Sequence, residues 1–112
     1  MAVITSYNTA TVKLNLRLFL LSIPVMKFEA TIINELGIHA NAAIQFVQAA
    51  SKYTSKIRVF HHDKEADGKN VIQLLGLRIE KNSHIIIHAE GEDEQLAIKE
   101  LKMLIDNNFW EE

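Results

Sequence analysis

From residue 26 onward the hydrophobic positions switch between two periods. Phe28-Glu29-Ala30-Thr31-Ile32-Ile33 is rich in strand-forming residues and runs into the polar turn Asn34 to Gly37, which predicts a first strand closed by a glycine. Ala43, Phe46, Val47 and Ala50 then recur at i, i+3, i+4 and i+7, one apolar face of a helix whose Gln45, Gln48 and Lys52 point elsewhere. Lys56-Ile57-Arg58-Val59-Phe60-His61 alternates as a second strand, and the charged stretch Asp63 to Gly68 leaves room for a short third strand around Glu65 to Asp67. Asn70 is placed to cap a short helix carrying Val71, Ile72, Leu74, Leu75 and Ile79. That segment is more apolar than one buried face requires, so part of it is expected at the surface, available for docking. His84-Ile85-Ile86-Ile87-His88-Ala89 is a β-branched run expected at the centre of a sheet, and Gly91-Glu92-Asp93-Glu94 opens a last helix whose stripe is Ala97, Leu101, Leu104 and Ile105.

The predicted order is β-α-β-β-α-β-α. Crossovers through the helices place this chain in the α+β class, as a two-layer open-faced sandwich: a four-stranded antiparallel sheet with three helices on one face and the other face open. Residues 1–25 read differently. Leu16 to Val25 is a short apolar run with Lys13 and Arg17 beside or within it, no small-x-small cleavage site follows, and the run is too short to span a bilayer. The expected division is an N-terminal extension over 1–25, a disordered tail, an added strand or a start-site artefact, and one domain over 26–112 that opens at Met26 after Pro24.

Composition narrows the chemistry. With 112 residues, 48% hydrophobic and 23% charged, one folded core is the default. There is no cysteine, which removes disulfides, thiolate nucleophiles and cysteine-bound zinc and suits a cytoplasmic setting. Residues 26–112 hold ten Lys or Arg against fourteen Asp or Glu, a net charge of -4, so nucleic acid is not an expected partner. No Gly-x-Ser-x-Gly elbow is present and the four glycines are isolated, which removes hydrolase elbows and nucleotide-binding glycine loops.

His39 stands out by position: it follows the glycine turn and precedes the first helical pattern. A helix start gathers unpaired N–H groups and the positive end of the macrodipole, where an anion such as a phosphoryl group can be held. An imidazole titrates near neutrality, so its nucleophilic neutral form is available. The competing reading is a histidine that only caps or packs. The other histidines carry less. His61-His62-Asp63 lacks a third ligand at a suitable spacing and reads as a strand-end surface pair; His84 and His88 lie about 13 Å apart along one strand, too far to share an ion. The acidic run Glu90 to Glu94 lacks calcium-loop spacing and reads as a solvated helix start.

Gly37-Ile38-His39-Ala40, continued by Ala43-Ile44-Gln45-Phe46-Val47, resembles the active-site motif Gly-(Leu/Ile/Met)-His-(Ala/Thr)-Arg-Pro-Ala of the histidine-containing phosphocarrier family, HPr, of the bacterial phosphotransferase system. Ala89-Glu90-Gly91-Glu92-Asp93-Glu94-Gln95 is similar to the entry into the last helix of enteric members. Val71-Ile72-Gln73-Leu74-Leu75 and Leu104-Ile105-Asp106-Asn107-Asn108-Phe109 resemble the nitrogen-related branch, NPr. The resemblance implies a phosphoryl carrier rather than a stand-alone enzyme. His39 would accept the group from Enzyme I and pass it to an Enzyme IIA or meet a regulator, with Ala40 and Asn41 stabilising the phosphate. Ile44, Val71, Ile72 and Leu75 would dock partners, and no metal, cofactor or membrane is called for. It further implies a monomer. Where the motif has Arg the chain has Asn41, where it has Pro the chain has Ala42, and where many members carry a regulatory serine it has Asn70. No Lys or Arg lies between Asn34 and Gln48 to replace the motif arginine. This leaves an alternative of another class, a non-transferring HPr-like regulatory protein that binds partners through the same surface.

Overall fold

The structure is a computed structural model, described for residues 26–111; the segment 1–25 lies outside the described residues. The strands are β1 (Met26–Thr31), β2 (Lys56–His61), β3 (Lys64–Asp67) and β4 (His84–Glu90), and the helices are α1 (Ala40–Ala50), α2 (Val71–Gly76) and α3 (Glu94–Asp106). One tight turn, Asn108–Trp110, follows α3. The strands form one sheet in the order β1-β4-β2-β3, every neighbouring pair antiparallel. Two crossovers therefore interlock: α1 joins β1 to the parallel β2 with β4 between them, and α2 joins β3 to the parallel β4 with β2 between them. The expected order and the central place of β4 are both present.

Alternation decides which side of the sheet is covered. Ile57, Val59, Ile85, Ile87 and Ala89 point to the helices and are fully or almost fully buried, together with Phe46 of α1, Leu74 of α2 and Leu101 of α3. Lys56, Arg58, His84 and Glu90 belong to the other side, where Phe60 and His88 pack with ring centroids 4.6 Å apart. His61 departs from its expected surface place. It lies on the same side as Ile57 and Val59, is buried, and its Nδ1 is 2.9 Å from the carbonyl of Leu77. His62 stands at φ 57 in the β2 to β3 turn, so its ring swings beside that of His61 at 4.2 Å rather than to the opposite face. Ile79 is buried as its apolarity suggests, but α2 ends at Gly76 and Ile79 sits beyond it, after Arg78 in a left-handed conformation.

Two joints hold the layers in register. The first is the turn Asn34 to Gly37, where Gly37 N–H donates to Asn34 O at 3.1 Å and Ile38 N–H donates to Ile79 O at 2.9 Å. Gly37 has φ +64, and a Cβ there would stand 2.3 Å from the Ile79 carbonyl oxygen, so both the backbone sign and the close approach require glycine. The second is Asp93, which is more than a solvated residue at a helix start. Its carboxylate accepts the N–H groups of Thr54 at 2.8 Å and Ser55 at 2.9 Å and the hydroxyls of both residues. The bond from the Ser55 hydroxyl, followed by the Thr54 N–H, holds its pKa down at about 2. Glu94, the first residue of α3, reaches back to accept from Gly91 N–H at 3.0 Å.

Gly37→Ala is expected to lower the unfolding free energy by about 2 kcal/mol or more, from a forced left-handed alanine and the clash with Ile79, read as a urea-denaturation shift. For Asp93 the folded pKa lies below the ordinary carboxylate value, so its stabilisation is full above about pH 4 and is lost as pH falls toward about 2. Denaturation midpoints should accordingly show Asp93→Asn less stable than the wild type at pH 7, with the gap closing through that acid window.

Candidate phosphoacceptor site

His39 is the N-cap of α1, with extended backbone (φ -88, ψ -172) and a ring that caps its own helix: Asn41 N–H donates to Nδ1 at 3.3 Å. Ala43 N–H donates to the His39 carbonyl at 2.8 Å and closes the first helical turn. The N–H groups of Ala40 and Ala42 meet no carbonyl among the described hydrogen bonds, as expected for the first residues of a helix. They stand at the same end as Nδ1, with the positive end of an 11-residue helix behind them. Ala42 is wholly buried and Asn41 exposed. Alanine in place of the motif proline therefore packs inward, and Asn41 contributes its backbone N–H while its side chain faces solvent.

The other ring nitrogen is occupied. Nε2 of His39 contacts Oε2 of Glu111, and Oε1 of Glu111 accepts from Asn34 Nδ2 at 3.1 Å. Asn34, itself buried, also donates to Gly37 O at 2.7 Å, so the glycine turn and the carboxylate are tied together. The His39 side chain is 31% exposed and that of Glu111 is 19% exposed. Because an N–H points at Nδ1, that nitrogen carries the lone pair, and the ring proton resides on Nε2, donated to the carboxylate.

Glu111 reaches His39 through the turn after α3. Asn108, Phe109 and Trp110 have φ of 53, 55 and 58, three consecutive left-handed residues, each costing about 1 kcal/mol or more. Phe109 is 1% exposed, a burial worth about 2 kcal/mol, and its carbonyl accepts from Gln45 Nε2 of α1 at 3.0 Å. Sequence reasoning placed neither Gln45 nor Glu111 at the site. The signal available was weak: a phenylalanine past the last helical stripe, in a segment with two asparagines, residues that tolerate left-handed backbone.

The expected docking residues divide by depth. Ile44 is 45% and Ile72 77% exposed, while Val71 and Leu75 are half-buried against the core; α1 and α2 pack on each other, which brings these four onto adjoining helices. Leu36, 67% exposed in the loop before His39, joins the exposed apolar positions near the site and was missed in the sequence because it lies outside any helical or strand period. Asn70 caps α2, its side chain accepting from Gln73 N–H at 3.0 Å. No helix among the described residues is long and apolar enough to cross a membrane.

Comparison with known proteins identifies the family and the fold. The family described as "PTS HPr component phosphorylation site" matches residues 26–107. Phosphocarrier protein HPr of Pseudomonas aeruginosa is 40% identical over 82 residues, 72% of this chain and 91% of the relative, and that of Neisseria meningitidis serogroup A is 36% identical over 87 residues, 78% of this chain and 98% of the relative. The crystal structure of HPr from Thermoanaerobacter tengcongensis superposes with a TM-score of 0.75 at 37% identity, covering 78% of this chain and 98% of that one. With sequence and fold matched across β1 to α3, and with a histidine at the start of α1, the chain belongs to the HPr family of phosphocarrier proteins of the phosphotransferase system.

Proposed function

We propose that His39 is the phosphoacceptor of this carrier, taking the group from Enzyme I on Nδ1 and passing it to a histidine of an Enzyme IIA or delivering it to a regulator. Residues 26–112 act as the carrier domain, as a monomer in the cytoplasm, and the blocks Val71 to Leu75 and Leu104 to Phe109 favour the nitrogen-related branch. The observation that carries the reading is the pairing of the two ring nitrogens: Nε2 is held by Glu111, and among the described residues Nδ1 meets only the Asn41 N–H, a contact of 3.3 Å.

Arrival of a phosphoryl group at Nδ1 exchanges that weak contact for N–H to phosphoryl-oxygen bonds from the start of α1, with Ala40 and Asn41 the nearest donors. The negative group then sits at the positive end of the helix without any metal. The missing motif arginine lowers this stabilisation, because Asn41 brings no charge to a dianion. It does not remove the N–H cradle, so a purely non-transferring role has no observation in its favour. The exposed Ile44 and Ile72, with Leu36 beside the site, form an apolar rim on which a partner can seat its own active-site surface.

Incubation with phosphoenolpyruvate and Enzyme I should give one acid-labile phosphate per chain, absent in His39→Ala; a wild type left unlabelled beside a labelled control carrier would refute the assignment. Ile72→Glu should weaken Enzyme I binding by about tenfold or more with an unchanged thermal unfolding temperature, as measured by calorimetric titration.

A further inference from the structure

We propose that Glu111 is a positioning residue for phosphoryl transfer, its carboxylate holding the Nε2 proton of His39 so that the Nδ1 lone pair stays aimed at the start of α1. The inference rests on the reading of His39 as phosphoacceptor and adds a residue 72 positions away in the chain.

Three observations converge on it. One carboxylate oxygen of Glu111 accepts from the ring and the other accepts from Asn34, so the carboxylate is oriented from both ends and not merely near. Asn34 is buried and bonded to Gly37 O, which makes the carboxylate part of the same joint that sets the backbone entering His39. The chain also adopts three left-handed residues in a row to bring Glu111 there, anchored by buried Phe109 and by Gln45. A strained backbone held by packing beside a functional group is the pattern expected where geometry serves the chemistry.

The step balances without further components. The Nδ1 lone pair forms a bond to phosphorus while the phosphorus–nitrogen bond of the donor phosphohistidine breaks, and that electron pair returns to the donor's ring nitrogen. No proton leaves His39: Nε2–H remains donated to Glu111. As Nδ1 bonds to phosphorus the ring takes on positive charge, and the carboxylate faces that charge from the side opposite the phosphoryl group, where its own negative charge does not meet the phosphoryl oxygens. A ring-orienting carboxylate of this kind fixes tautomer and direction without itself reacting. Asn34, neutral, is the other side chain bonded to this carboxylate, so among the described residues Glu111 supplies the negative charge that meets the ring.

The test uses the full chain with Glu111→Ala and Glu111→Gln. In the unphosphorylated protein, nitrogen-15 spectra of the His39 ring should show the Nε2–H tautomer alone, with an exchange-protected Nε2 proton. Glu111→Ala should lose that protection and give mixed tautomers, and Glu111→Gln, whose amide oxygen can still accept, should keep it. Transfer from phosphorylated Enzyme I should fall about tenfold or more in Glu111→Ala and sit between the two in Glu111→Gln, which keeps the orientation and lacks the charge. A Glu111→Ala protein with wild-type ring spectra and wild-type transfer overturns the positioning role while leaving His39 as phosphoacceptor. A wild type that takes no phosphoryl group overturns the phosphoacceptor reading, and the ring spectra then still report on the contact alone.

Discussion

A neutral imidazole has one nitrogen that donates and one that accepts, and a histidine free to rotate presents either to a reactant. At His39 that freedom is removed from two sides, by a carboxylate on Nε2 and a helix-start N–H on Nδ1. Both partners depend on a short stretch of backbone. The turn at Gly37 lies against Ile79 and Glu80 so closely that no side chain fits between them, and Asn34 bridges that turn to Glu111. The interlocked crossovers matter to function through this contact, because the segment after α2 is the surface on which the histidine's turn is laid.

Much of this was legible in the residues. Period-3.6 and period-2 patterns separate α1 and α3 from β2 and β4, and they did so because each element buries one face only. The cap at Asn70 and the glycine before His39 could be read for the same reason: local backbone geometry demands particular residue types. The family resemblance added expected roles for His39 and the apolar α2, and the family itself is shown by the family model that matches residues 26–107.

What was not legible is instructive in physical terms. Glu111 reaches the site through a left-handed turn that no local propensity favours, held by long-range burial of Phe109, so nothing within its own few residues announces it. Asp93 looked like one acidic residue among four, and its four bonds to Thr54 and Ser55 exist only because the α1 to β2 loop passes the start of α3. His61 is a different case. Its place two residues beyond Val59 and four beyond Ile57 put it on the covered side of β2, a signal that the adjacent His62 obscured by suggesting a pair.

On the proposed reading of His39 as phosphoacceptor, the electrostatic work of the absent motif arginine falls elsewhere: the start of α1 offers N–H dipoles to the phosphoryl oxygens, and Glu111 offers negative charge to the ring. The most direct measurement is the nitrogen-15 and phosphorus-31 spectrum of the protein phosphorylated by Enzyme I and labelled at histidine. A one-bond phosphorus coupling to Nδ1 of His39 is the predicted result; coupling to Nε2, or to the ring of any other histidine, would contradict it.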